Sequence, residues 1–453
     1  MIGKLLVILK KSNRKKDVEI SFALFKRASG IFVIRIISIV LSFVTSIILA
    51  RLLGVVDYGI FTYSFAWVSV LMMVSIMGFD KLLLRYVSTY HAKFKWELIY
   101  GIVRRTYVIA IVVSIILMFL VAIIALVVQK SHDLNVLSSF LLSLLLLPIF
   151  TLIRLHQSTL QGLHRIMSGQ VPEMIIQPIL FILFILITFF IINKKLSAPL
   201  AIIEFIIASI LILIALRYML KKSISQYIKD ITPIYEMKLW LKSSLPLLIF
   251  NSLYVINAWA DVIMLGLLKG TEFAGVYNIA NRGAEFITFI LVSVNTVFAP
   301  TIARLYTTGQ IEELQYAVTS TARIILIFSI PIAFVLIFFG KFFLMLYGNE
   351  FLSANLALKI LSVAQFFNVA TGSVGYLLIM TGHEKDAATG IGISAIINIF
   401  LNAILIPSWG IEGAAIATAS SIIVWNILLA IWVYRRLKIH TTAFGIIKLW
   451  KRD

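Results

Sequence analysis

Twelve apolar runs follow one another along this chain, at about 30–53, 58–80, 106–128, 136–156, 172–192, 198–219, 243–267, 275–300, 318–346, 356–380, 387–406 and 411–434. Each is long enough to cross the hydrocarbon core of a bilayer. Backbone N–H and C=O groups find no partner in lipid, so runs of this kind must fold as helices. The rest of the chain does not offset them: 61 % of residues are hydrophobic and 13 % charged, with a mean hydropathy of +1.03. Water-soluble domains are about half apolar and a quarter charged. The fold class is therefore an all-α polytopic membrane protein. The sequence holds no cysteine, which excludes disulfides, thiol catalysis and thiolate metal sites.

The number of runs is even, so both termini lie on one side. Lysine and arginine indicate which side that is. Of 40 such residues, 31 fall in the termini and the connections after even-numbered spans, and seven on the opposite side. The positive-inside rule then places both termini in the cytoplasm. The net charge of +20 is read as orientation in a membrane, not as nucleic-acid binding. The opening MIGKLLVILKKSNRKK has a short apolar run and no small-residue cleavage site, so it is expected to lie on anionic membrane lipid and not to be a signal peptide. The expected organisation is a basic segment (1–28), a six-helix bundle (29–220), a cytoplasmic linker (221–242), a second six-helix bundle (243–435) and a basic tail (436–453).

Two passages half a chain apart are alike: IILARLLGVVDYGIF at 47–61 and VIMLGLLKGTEFAGVY at 262–277. Each has an apolar helix end, a Leu-Leu pair, a turn with one acid (Asp57, Glu272), then glycine and aromatic residues. The echo continues between 95–100 and 311–316, and between 161–165 and 381–385. Six spans per unit make the repeat parallel. Two similar bundles facing each other imply a pathway between them.

ARLLGVVDYGIFTYS at 50–64 resembles the signature that follows the first span in the Wzx-type polysaccharide transporters of the multidrug/oligosaccharidyl-lipid/polysaccharide (MOP) exporter superfamily. The matching residues are Ala50, Arg51, Leu52, Leu53, Gly54, Asp57, Tyr58 and Gly59. Gly78 with Arg85-Tyr86, then Asp261, Gly266, Gly275 and Tyr277, then Ala280-Asn281-Arg282, resemble further segments of that family in the same order. Asp80-Lys81 departs from it, because small or apolar residues are more usual there. The resemblance implies a MATE-like fold of two six-helix bundles in a V, around a central cavity that opens alternately to each side. It also implies a cargo: an undecaprenyl-diphosphate-linked oligosaccharide such as an O-antigen unit, moved to the outer leaflet of a bacterial cytoplasmic membrane. A polysaccharide polymerase and a chain-length regulator would be its partners.

The diphosphate of such a cargo calls for cations in a hydrated cavity. Charges within spans cost several kcal/mol unless paired or hydrated, and so mark functional candidates. Arg282 leads them, as a phosphate-binding or gating residue with Glu285, Asn281, Asn257 and Asp261 near; the alternative is a structural Arg282–Glu285 pair. Arg35 either lines the cytoplasmic end of the cavity or snorkels to the surface. Arg51 with Asp57 either meets substrate or forms a local ion pair at a capped helix end. Arg85 either receives incoming diphosphate or serves topology. Asp261 is the candidate to carry a coupling H⁺ or Na⁺, with Asp80 and Glu204 behind it. Asn398 and Asn402 share a face and are expected to bond between helices. His156 and His164 have no other ligand-type neighbours, so no metal site is expected.

No nucleotide-binding loop is present in the sequence, so the energy for transport would come from an ion gradient or from the cargo's own gradient. The reading is a lipid-linked oligosaccharide flippase and not an enzyme. The rivals are a drug/cation antiporter or lipid II flippase of the same superfamily, and a membrane glycosyl polymerase or ligase. Short outer loops weigh against the last.

Overall fold

The computed structural model describes residues 15–128, 134–191, 196–228 and 231–443, and all regular structure among them is helical. Of the basic residues counted above, those at 4–14, 130, 194–195, 229 and 448–452 lie outside the described residues, as do the first half of the predicted N-terminal segment and residues 444–453 of the tail. In chain order the helices of the first half are α1 (Lys15–Ile76), α2 (Phe79–Ala92), α3 (Trp96–Val128), α4 (Leu134–Leu144), α5 (Leu146–Gly162), α6 (Ile166–Val171), α7 (Gln177–Phe190) and α8 (Ala198–Ile228). A π-helical turn, Pro172–Ile176, joins α6 to α7. The second half has α9 (Met237–Leu268), α10 (Thr271–Thr307), α11 (Ile311–Met345), α12 (Asn355–Thr371), α13 (Val374–Met380) and α14 (Glu384–Leu437).

Ten helical stretches among the described residues are long and apolar enough to cross a membrane. Two of them hold a pair of spans each. α1 breaks at Gly54 (φ 71°, ψ 178°) and α14 at Gly410 (φ 54°, ψ −123°), both in the left-handed region that favours glycine. Counting one span on each side of these two breaks gives the twelve crossings expected, six per half. The linker is shorter than predicted. α8 runs on to Ile228, so the non-helical connection is about 231–236.

The apolar packing shows how the halves meet. With the face that carries the termini called the basic face, one core on the far side joins both halves: Leu49, Tyr58 and Phe61 pack with Val262, Leu265 and Tyr277. Toward the basic face the packing divides. One core holds Phe79, Leu83, Ile102 and Leu160 of the first half, and a separate one holds Phe298, Leu314, Leu377 and Val433 of the second. The halves are thus closed at the far face and parted below it, as the arms of a V.

The two copies of the repeated passage form the closed seam. A Cβ on Gly59 would lie 2.2 Å from the Thr271 carbonyl oxygen, and one on Gly275 would lie 2.6 Å from Gly59 Cα. Only hydrogen atoms fit where these backbones touch. Gly266 leaves room for the Tyr63 ring, which a Cβ there would strike at 2.2 Å.

α9 belongs to both halves. At its basic end Trp240 Nε1 donates to Tyr90 Oη at 3.2 Å, Tyr90 Oη donates to Glu236 at 2.7 Å, and Ser243 bonds Tyr86 at 3.0 Å. Further along it packs against α14 and α1.

Candidate functional site

Between the arms lie two chambers. The one in the second half has a volume of about 690 Å³ and the one in the first half about 440 Å³. Four residues line both: Ser42 and Ser46 of α1, Trp259 of α9 and Arg282 of α10. The chambers are therefore one cleft, and Arg282 stands at its junction.

Among the described residues Arg282 has no hydrogen bond or ion pair, the only ion pair there being Arg436–Asp386. The alternative, a structural Arg282–Glu285 ion pair, is not formed among the described residues. Glu285 instead accepts from Asn281 Nδ2 at 3.1 Å. Tyr58, Glu285 and Tyr347 are close enough to feel the guanidinium charge, and Tyr58 comes from the opposite half. A half-buried, uncommitted cation facing a cleft is available to an anion.

Asp261 lines the second chamber but is buried and held from four sides. Tyr277 Oη and Thr418 Oγ1 donate to Oδ2 at 2.8 and 2.6 Å. Asn398 Nδ2 donates to Oδ1 at 3.0 Å, and Asn402 Nδ2 to the same oxygen. The shared face of Asn398 and Asn402 thus serves an interhelical contact to one carboxylate. Asp261 makes no contact with Arg282 in this network.

The other predicted residues are more scattered. Asn257 lines the second chamber and donates to the Ile391 carbonyl at 3.3 Å. Arg35 is not on the chamber walls. It reaches from α1 to Thr296 Oγ1 of α10 at 3.4 Å, one turn of helix toward the basic face from Ile39. Arg51 and Asp57 do not pair with each other. Arg51 is exposed at the far face and donates to the carbonyls of Leu346 (2.6 Å) and Met345 (3.1 Å), capping the end of α11. Asp57 Oδ1 accepts from Ala198 N at 3.1 Å and so caps the start of α8. Glu350, which the sequence reading passed over, accepts from Val55 N at 3.0 Å, across the seam from Arg51's bonds. These charges fasten the closed face instead of meeting the cleft, because free helix ends gather there and need caps. Arg85 is exposed on α2 beside the Tyr86 ring, away from both chambers. Glu204 is buried against Thr188, and Asp80 is buried below the break at Gly78.

Sequence reasoning missed Arg154, Trp259, Gln365 and Asn368, all on the chamber walls. Arg154 seemed a loop charge because the fourth apolar run ends near 156. The helix continues to Gly162 and carries Arg154 two turns inside it. Its neighbours Gln157 and Glu173 form a short polar chain with it. The signal was the amphipathic continuation QSTLQG, which is polar yet helical. No group of three or more His, Asp or Glu able to hold a metal occurs among the described residues.

Comparisons with known proteins agree with this architecture. Residues 24–306 match the family model described as polysaccharide biosynthesis protein, and 246–404 match the MatE model. An uncharacterised membrane protein of Methanocaldococcus jannaschii is 23 % identical over 423 residues, covering 88 % of this chain and 82 % of that one. A probable low-salt glycan biosynthesis flippase of Haloferax volcanii is 27 % identical over 172 residues, 38 % of this chain and 36 % of its own length, so the match spans about a third of that relative. Among solved structures, an inward-facing MATE multidrug resistance transporter of the MOP superfamily superposes with a TM-score of 0.74 at 12 % identity, covering 88 % and 94 % of the two chains. The lipid II flippase MurJ in an inward closed conformation does so with 0.68 at 17 %, covering 91 % and 87 %. At these identities the structures establish the fold. With a family model matched over residues 24–306, more than half of this chain, and the fold shared with transporters of the MOP superfamily, the chain belongs to the polysaccharide biosynthesis protein family.

Proposed function

We propose that this protein moves a polyprenyl-diphosphate-linked oligosaccharide from one leaflet to the other by alternating access of its two halves, and that Arg282 is the residue that holds the diphosphate. The observation that carries this reading is the uncommitted guanidinium at the junction of two chambers, behind the seam that closes the far face. A bilayer would accept the lipid tail alongside, while the polar head needs a charged, hydrated cleft. The same reading puts the termini in the cytoplasm of a bacterial inner membrane, with undecaprenyl as carrier and a surface polysaccharide as product. The chain acts as a transporter and not as an enzyme.

The coupling ion in this proposal is a proton on Asp261. Asp261 Oδ2, Tyr277 Oη and Thr418 Oγ1 form a triangle with edges of 2.8, 2.9 and 2.6 Å. Both hydroxyls donate to the carboxyl, and an acid within a span that is held by neutral donors is a group that can take up and release a proton during transport.

The test is transport of a fluorescent glycan–polyprenyl diphosphate in proteoliposomes. Arg282→Gln should slow it by two orders of magnitude or more, since a charge-assisted contact contributes about 1.5–3 kcal/mol and the head makes more than one. Transport at the wild-type rate in that variant removes Arg282 from the mechanism. The second reading is an organic-cation transporter, favoured by Glu285 and Trp259 on the wall. Under it, Arg282→Gln would leave dye efflux intact or improve it.

A further inference from the structure

The two chambers differ in chemistry, and the difference tells which part of a cargo enters which. The first-half chamber has aromatic walls of Phe61, Phe65, Phe181 and Phe205. Its one amide, Gln177, is already committed to Ser209 at 2.9 Å. The second-half chamber gathers five amides: Asn257, Asn278, Asn281, Gln365 and Asn368. Trp259 and Trp425 stand among them.

These amides are half used. Asn257, Asn281 and Asn368 each give Nδ2 to a neighbour, namely the Ile391 carbonyl, Glu285 and Gln365 respectively. That leaves their Oδ1 atoms without a protein partner among the described residues. Asn278 is more than nine-tenths buried, and its Oδ1 has no hydrogen-bond partner among the described residues. The buried indole Nε1 of Trp425 is likewise unpaired. A buried polar group left unmade costs about 1–3 kcal/mol, which a ligand bonding to these side chains would recover. Four acceptor oxygens call for a ligand rich in donors. A phosphate has only acceptors and would be repelled. A cationic aromatic drug brings few N–H groups. Sugar hydroxyls each bring one donor, and indole faces pack on the C–H face of a sugar ring.

We infer that the second-half chamber is the saccharide subsite, holding a neutral glycan while the phosphate stays at Arg282. This rests on the flippase reading above and adds the division of the cleft.

Asn278→Leu and Trp425→Phe remove the unpartnered groups with little change of shape. Because Asn278 Oδ1 and Trp425 Nε1 have no hydrogen-bond partner among the described residues, the melting temperature should stay level or rise. The probes are farnesyl diphosphate and diacetylchitobiosyl farnesyl diphosphate, titrated against purified protein in nanodiscs. The sugar-bearing probe should bind wild type more tightly. Each variant should weaken it about five- to tenfold and leave farnesyl diphosphate unchanged. Equal effects on both probes, or no effect on the sugar-bearing one, overturn the subsite. Failure of wild type to bind either probe instead overturns the flippase reading, and the subsite with it.

Discussion

Gly59→Ala should open the far face. The new Cβ would sit 2.2 Å from the Thr271 carbonyl oxygen, 2.7 Å from its carbon and 2.9 Å from Glu272 Cα. All three are backbone atoms on a helix start, so none can swing aside. Ordinary contact requires the two helices of the seam to part by about 1 Å or more. Overpacking of this kind costs about 1–3 kcal/mol. The clash exists only where the halves meet, so it penalises the closed state and leaves a state with the seam apart untouched. The closed-to-open ratio should fall roughly 5- to 150-fold. The sequence has no cysteine, so a single introduced thiol reports without background. Ser42→Cys places one on the wall shared by both chambers. Its labelling by a membrane-impermeant reagent from the far side should be slow with Gly59 and at least fivefold faster with Gly59→Ala. Unchanged labelling with a lowered melting temperature would show that the seam is a static core contact, and the alternating-access argument drawn from it would fail.

Other expectations are smaller. Glu350→Gln removes the carboxylate that caps Val55 N and should raise the same far-side labelling severalfold, in line with about 1 kcal/mol for a charged cap. Asp261→Asn keeps a side chain of the same size among its four donors. It should leave the protein folded by fluorescence-detected chromatography while abolishing the dependence of transport on a proton gradient. Retained dependence would move the coupling site elsewhere.

The number and order of the spans were legible because the bilayer permits few alternatives, and an apolar run of that length has one fate. Asp261, Arg282, Asn257 and Asn281 were legible for the same reason, since polar groups within spans are costly and conspicuous. Partners were not. Arg51 and Asp57 are neighbours in the chain and looked like an ion pair, yet each caps a helix remote in sequence, at Leu346 and at Ala198. Arg154 was hidden by a helix that outlasts its apolar stretch. The repeated passage was visible as a likeness. That Gly59 and Gly275 touch followed only from where a pseudo-twofold relation puts two copies of one turn.

One shared core and two separate ones also set an order of assembly. As the chain leaves the ribosome, the first six spans can complete the packing around Phe79, Ile102 and Leu160 unaided, except for the place that Trp240 fills. The face of Tyr58, Gly59 and Phe61 has no cover until α9 and α10 arrive. A chain stopped after the first half would therefore carry an unfinished surface within the bilayer, open to non-native helix partners and to proteolysis. The same seam that shuts the transporter acts as the checkpoint for having made all of it.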